Sequence, residues 1–283
     1  MRAAGHACGH DIEGDAMYDE DGGQIYRGDG PILVAAPHVG TAIPDELLAL
    51  RAWHAVRQVR VDPGGTRLQE AAVARGMSCI AARMHPCVID VNMAADHQSL
   101  ASELGRSALC RPHSPAGENL YGGVAQPSEV EVARRVRRYW TPYHETLAGE
   151  LKRLRDLHGD VLLVVPHASS RLSPFQYLSG ASDCNVGTNR GASCDKLLVN
   201  TLTKSVQRGG RSWVVNGKLA DSFAAQHYGR PAAGIHVVEL EVAGKWRDAC
   251  ETAPAVASIA SEFDALLGRL LDALSTLAHA DGA

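Results

Sequence analysis

Two histidines stand at matching places in two similar segments. His38 ends ILVAAPH and His167 ends VLLVVPH, so each follows a short apolar run through a Pro-His dipeptide. Carboxylates recur in comparable settings. Asp62 follows VRV, Asp90 and Asn92 lie two apart in CVIDVN, and Glu239 and Glu241 lie two apart in VVELEV. Residues two apart on a strand share a face, so each of these pairs can point at one site. Two imidazoles and one carboxylate are a recurring ligand set for a catalytic zinc, with the fourth position left to water. A nearby Glu can take the proton of that water while the metal polarises an acyl oxygen. A single histidine after a strand is more often a cap or a packed core residue, but a matched pair brings the two readings level. Glu241 alone could be a structural acid paired with an Arg, whereas two adjacent carboxylates in an apolar strand ask for a site.

The elements that must position these residues alternate along the chain. Apolar runs predict strands at 32–36, 79–84, 87–91, 161–165, 212–216 and 235–242, with His85-Pro86 splitting the second from the third. Pro44 opens a helix through about residue 58, and the turn Asp62-Pro63-Gly64-Gly65 precedes another over 66–75. From Ser128 the spacing of Val132, Val136, Leu147, Leu151 and Leu154 is helical, with Pro142 expected to kink or split the helix. Further helices are predicted at 193–207, up to His227, and at 255–278. The stretches 93–126 and 168–192 read as loops. Strands alternating with helices imply an α/β layer sandwich. In open α/β sheets, ligands bind beyond the carboxyl ends of the strands, where these polar residues would converge. We expect one domain over residues 31–283, preceded by a polar, Gly-rich segment at 1–30 that reads as a flexible arm or a short hairpin.

Composition narrows the partner. The 283 residues are 45% hydrophobic and 21% charged, as in an ordinary globular protein. A net charge of −4 and an aromatic content of 5% give neither the basic face nor the stacking platform of a nucleic-acid binder. No window approaches a membrane span, the N-terminus lacks the apolar core of a signal peptide, and the seven cysteines are scattered with no CxxC. A reduced, cytoplasmic setting and a small-molecule partner are expected. There is no HExxH, GxSxG, Walker loop or GxGxxG to support other catalytic readings.

The segments PILVAAPHVGTAIPDEL, CVIDVN, WTPYHETL, VVPHASS, CNVGTNRGASCD, VVNGK and HYGRPAAGIHVVELE resemble, in order and over roughly Pro31–Trp246, the N-formylglutamate amidohydrolases. The resemblance implies a three-layer α/β/α domain with a mixed sheet, similar to zinc carboxypeptidases and aspartoacylases, with a metal at the strand ends. It implies His38, Asp62 and His167 as ligands of a divalent metal, most naturally Zn²⁺, and Glu241 as the general base. The implied reaction is hydrolysis of the amide C–N bond of a small N-acyl or N-formyl amino acid by metal-activated water. Asn92 falls beside the substrate, and Glu239, where the family has Gln, joins the substrate-binding set.

The departures from the family concern substrate rather than reaction. Two arginines of the family's pattern are Pro86 and Met93 here, and neither can hold a carboxylate bidentately. The first Asp of its Asp-Thr-Asp run is Arg60, and the acid expected before the second His is Val165, which removes one partner for the ligand. Arg171 and Arg190, in the loop after His167, are the candidate replacements for the anion clamp. Other constellations carry less: His6, Cys8, His10 and Asp11 read as a polar tail, Arg134, Arg135, Arg137 and Arg138 as a solvated helix face, and His144 as a group packing or bonding beneath the site. Cys184 and Cys194 lack a paired base and make no argued nucleophile. Two rival functions share the residues. A 2-His-1-carboxylate Fe(II) enzyme would use the same ligands, although the His38-to-Asp62 spacing and the α/β pattern argue against it. A non-catalytic binding protein could have kept the fold and lost turnover.

Overall fold

The computed structural model describes residues 17–19, 23–57, 62–96, 108–114, 117–122, 127–168, 182–252 and 255–280. The strands are β1 (Met17–Asp19), β2 (Gly23–Tyr26), β3 (Ile32–Ala36), β4 (Ser78–Ala82), β5 (Val161–Ala168), β6 (Cys184–Gly187), β7 (Trp213–Val215) and β8 (Ile235–Val242). The helices are α1 (Asp45–Leu48), α2 (Arg51–Val56), α3 (Pro63–Ala74), α4 (Glu129–Arg135), α5 (Thr141–His158), α6 (Lys196–Arg208), α7 (Phe223–Tyr228), α8 (Gly244–Glu251) and α9 (Val256–Ala280). The strands form one sheet in the order β1-β2-β4-β3-β5-β8-β6-β7. The four central strands β4, β3, β5 and β8 are parallel, while β2 runs antiparallel to β4 and β6 antiparallel to β8. The sheet is mixed, as the family resemblance implies.

Alternation divides the core into two layers. On one face Leu33, Ala35, Leu163, Val165 and Val237 pack with Leu147, Leu151 and Leu154 of α5. On the other, Ile32, Val34, Leu162, Val164, Val238 and Leu240 pack with Leu68 of α3, Leu202 of α6 and Phe263 of α9. Central strands buried on both faces are apolar throughout rather than alternating, which is why ILVAA and VLLVV stand out in the sequence.

Several expectations are corrected. The folded body begins before residue 31, because β2 pairs with β4 (Ile25 opposite Ile80) and with β1 as a hairpin. CVIDV is a turn, not a strand. Pro86 cannot donate to a ladder, and the amides after it fold back locally: Cys87 N–H donates to His85 Nδ1 at 3.0 Å and Val88 N–H to His85 O at 2.8 Å. The expected loop 168–192 contains β6. The single helix of 44–58 is two short ones, and α8 has no counterpart in the sequence pattern. VRV (59–61) and the His/Cys-containing segment 6–11 lie outside the described residues. Pro142 does not break its helix. It sits in the first turn of α5, directly after a π-helical segment at Val136–Trp140 that joins α4 to α5.

The α6–α8–α9 layer depends on Phe263, fully buried and stacked on Trp246 with ring centroids 5.2 Å apart. Phe263→Ala should cost about 3–5 kcal/mol, the range for a large aromatic removed from a packed core, read as a lowered urea midpoint with an unchanged slope.

Candidate active site

Strand alternation brings the polar residues together. In β5, Val161, Leu163 and Val165 face the α5 layer, so His167 follows them to that face at the carboxyl end. In β8 Glu239 and Glu241 follow Val237 onto the same face, with Glu241 paired in register to His167 on one side and to Asn185 of β6 on the other. His38 leaves the end of β3 in a turn where the backbone passes very close to β4. A Cβ on Gly40 would lie 2.2 Å from Met84 O, so only glycine fits there. His38 and His167 meet edge to face, their ring centroids 5.6 Å apart.

Each imidazole is held by a carboxylate. His38 Nε2 donates to Asp90 Oδ1 at 2.9 Å, and Arg111 Nη2 donates to Asp90 Oδ2 at 2.7 Å. Burial acts to raise the Asp90 carboxyl, but His38 and Arg111 hold it below the usual carboxylate range. His167 Nε2 is in close contact with Glu239 Oε2. Glu239 is fully buried and also accepts from Asn92 Nδ2 at 2.8 Å and from Ala225 N–H at 2.9 Å. Burial depresses the imidazole and raises the carboxyl. The ion pair reverses both, so His167 is raised and Glu239 lowered. Glu241 is clamped by Asn185 Nδ2 and Lys218 Nζ, each at 2.5 Å.

Asp62 is different. It caps α3, its Oδ1 accepting Gly65 N–H at 2.8 Å, while its Oδ2 is buried without a hydrogen-bond partner. A Cβ on Gly65 would fall 2.3 Å from that oxygen. Burial raises the Asp62 carboxyl, against the pull of the Gly65 amide, His38, Arg247 and His167.

This donor chemistry suits a divalent cation. Two imidazoles meet edge to face, and Asp62, whose carboxyl feels the charge of both, keeps one buried oxygen unpaired, which is costly unless a cation or a donor meets it. Among the described residues, however, no group of three or more His, Cys, Asp and Glu side chains is gathered into a ready cage. The reason is local: both Nε2 atoms are turned to carboxylates, Asp90 and Glu239.

The turn carrying Asp90 and Asn92 is pinned from the helix that packs over it. Arg135 Nη1 donates to Val88 O at 2.9 Å, Trp140 Nε1 to Met93 O at 2.8 Å and His144 Nε2 to Val91 O at 2.8 Å. His144 thus bonds beneath the site as expected, its Nδ1 accepting from Tyr228 Oη, and burial pushes it down to about 4. Arg135 is no part of a solvated face; it is buried.

The substrate-binding expectations fare unevenly. Asn92 stands within the cluster, 2.9 Å from His167 Nε2. Glu239 is enclosed by its own partners, His167, Asn92 and the Ala225 amide. Arg190 is at the surface, its guanidinium held by both oxygens of Asp221. Arg171 lies outside the described residues. Residues the sequence reading passed over are Arg111, Asn185 and Lys218. Asn185 was legible by alternation in CNVG and Lys218 lies in the quoted VVNGK, whereas nothing near Arg111 announces its role. A cavity of about 790 Å³ is lined by Gly23, Gln24, Gly40, Thr66, Gln69 and Arg83, and none of the clustered imidazoles and carboxylates is among its lining residues.

The sequence pattern of the N-formylglutamate amidohydrolases matches residues 30–246. The chain belongs to that family. It is 34% identical over 218 residues to the N-formylglutamate deformylase of Pseudomonas aeruginosa, covering 77% of this chain and 82% of the relative. It is 33% identical over 221 residues to the N-formylglutamate deformylase of Pseudomonas putida, again covering 77% and 82%. In fold it is similar to the N-formylglutamate amidohydrolase of Ralstonia eutropha JMP134, with a TM-score of 0.74 and 21% identity over 90% of this chain and 99% of that one. Family membership makes the chain an amidohydrolase by class. With the α/β fold, it also takes away the support for an Fe(II) oxygenase. No helix among the described residues is long and apolar enough to cross a membrane.

Arg111 gives the site a direct stability test. Arg111→Met removes one of the three partners of the buried Asp90, which also holds His38 and the Asn92 N–H, and breaking a buried pair by deleting one member costs about 3–5 kcal/mol. Arg111→Lys should recover part of that loss in the same denaturation experiment, since it restores the charge without the fork.

Proposed function

We propose that the protein hydrolyses the amide C–N bond of a small N-formyl or N-acyl amino acid, with His38, Asp62 and His167 holding a divalent cation, Zn²⁺ by the nature of its donors. The observation that carries this reading is the meeting of both imidazoles with Glu239 and Glu241 at the carboxyl ends of the parallel strands in a chain of this family. When bound, such a cation polarises an acyl oxygen and makes water nucleophilic near neutral pH.

The chain's own residues supply the rest. Asp90, fixed by Arg111, keeps the proton of His38 on Nε2 and so its electron pair on Nδ1. Glu239, fixed by Asn92 and the Ala225 amide, sets the plane of the His167 ring. Glu241 is the base. It accepts the proton of the attacking water and returns it to the amine nitrogen as the C–N bond breaks, so no net proton is lost. Asn185 aims its carboxylate, and Lys218 is its cover. The Lys218 side chain is 54% exposed, so an anionic substrate arriving from solvent meets the ammonium first and draws it away from Glu241.

Substrate choice follows from the departures at Pro86 and Met93. Pro86 opens the tight turn, and Met93 is partly buried against the apolar core with its carbonyl bonded to Trp140. The two guanidiniums that would grip a dicarboxylate are therefore replaced by apolar surface. N-formylglutamate should be turned over less efficiently than formyl or acyl amides of other amino acids. Met93→Arg should narrow that gap in kcat/KM. A wild-type kcat/KM for N-formylglutamate above about 10⁴ M⁻¹ s⁻¹, the range of ordinary enzymes, would refute the altered clamp.

Two variants test the machinery. His167→Ala should lose most of about one equivalent of co-purifying metal, because a site with three protein ligands cannot spare one; unchanged metal content would overturn the ligand assignment. Glu241→Gln should keep the metal and lose about 10²–10⁴ in kcat, the usual contribution of a general acid–base group. Metal loss in that variant would make Glu241 a ligand. Full activity would move the base elsewhere.

A further inference from the structure

A second pocket lies on the other side of the sheet. It has a volume of about 330 Å³ and sits between the end of α6, the start of α8 and the first half of α9. Arg208, Arg211 and Arg269 line it, with Glu262 as the one carboxylate among its lining residues. Glu262 Oε1 takes Arg211 Nη2 at 3.2 Å, and Arg269 Nε donates to Ser205 Oγ at 2.7 Å. Among the described residues neither Arg208 nor Arg269 makes an ion pair. Three cations face one anion, so the lining carries two positive charges in excess.

Two buried donors in the same wall have no acceptor. Arg211 Nε and the indole Nε1 of Trp246 are both shielded from solvent and without a hydrogen-bond partner. Each group can only donate. A buried donor left unsatisfied is costly, and the protein places two of them beside one small, positively charged cavity. The excess charge suits an occupant with two negative charges, and arginine forks are built for planar or tetrahedral oxyanions.

We propose that this pocket binds a small doubly charged oxyanion, a phosphate group or a dicarboxylate, independently of the strand-end site. The two sites lie on opposite faces of the sheet. His167, Glu239 and Glu241 belong to the α5 side, and the pocket to the layer of α6, α8 and α9.

Titration calorimetry on the full chain, with inorganic phosphate and with succinate in separate runs at fixed ionic strength, tests the proposal and separates the two ligand chemistries. At least one ligand should bind saturably at one site with a Kd below about 1 mM. Arg208→Ala and Arg269→Ala should each weaken that binding about tenfold or more, as loss of a charged hydrogen-bonding partner does. His167→Ala should leave it unchanged. Arg208 is exposed at the end of α6, so its variant carries the test even if loss of the Arg269–Ser205 bond disturbs packing. The absence of saturable binding of either anion up to about 10 mM would overturn the proposal. So would binding that survives Arg208→Ala, or binding that disappears in His167→Ala.

Discussion

Four carboxylates buried along one edge of a sheet are the constraint around which this protein is arranged. Asp62, Asp90, Glu239 and Glu241 are each almost wholly removed from solvent, and a charge taken out of water must find a partner or change its ionisation. Asp90 is held between an imidazole and a guanidinium, Glu239 among an imidazole, an amide side chain and a backbone N–H, and Glu241 between an ammonium and an amide. Asp62 has one oxygen left over. The arrangement is paired at three positions and open at one.

The scaffold explains why the cluster falls there. Parallel strands deliver their carboxyl ends to one edge, and the same-face alternation that packs Val165 and Val237 against α5 carries His167 and the two glutamates into line. The turn of residues 85–93 has no ladder of its own. It is fastened instead by side chains of the helix above it, with Arg135, Trp140 and His144 each occupying one of its carbonyls. Precision at Asp90 and Asn92 therefore comes from helix packing rather than from the sheet.

This division accounts for what was legible in the sequence. Apolar runs ending in Pro-His announced β3 and β5, and alternation in VVELEV announced the shared face of Glu239 and Glu241, because local pattern and tertiary position agree there. CVIDVN carries the same alternating signal yet forms a turn, since Pro86 and the bonds back to His85 prevail over strand propensity. Arg111 was not legible. Its partner lies 21 residues away in the sequence, and no periodicity relates the two. Arg190 is the opposite case: a cation in a polar loop reads as available from sequence alone, whereas in the structure Asp221 takes both sides of its fork.

The π-helical segment at Val136–Trp140 sets the phase of everything beyond it. Each residue of an α-helix turns the chain by about 100°, so one residue accommodated in that wider turn rotates the whole of α5 relative to α4. Arg135 lies before the widening and Trp140 and His144 at or after it, yet all three reach the same short turn of chain. Lineages that lost the extra residue would keep a smooth helix of nearly the same composition and bring these groups out of step. The length of this helix, more than the identity of its surface residues, is then what keeps Arg135, Trp140 and His144 on one turn, and a single-residue deletion there would disturb them more than many substitutions.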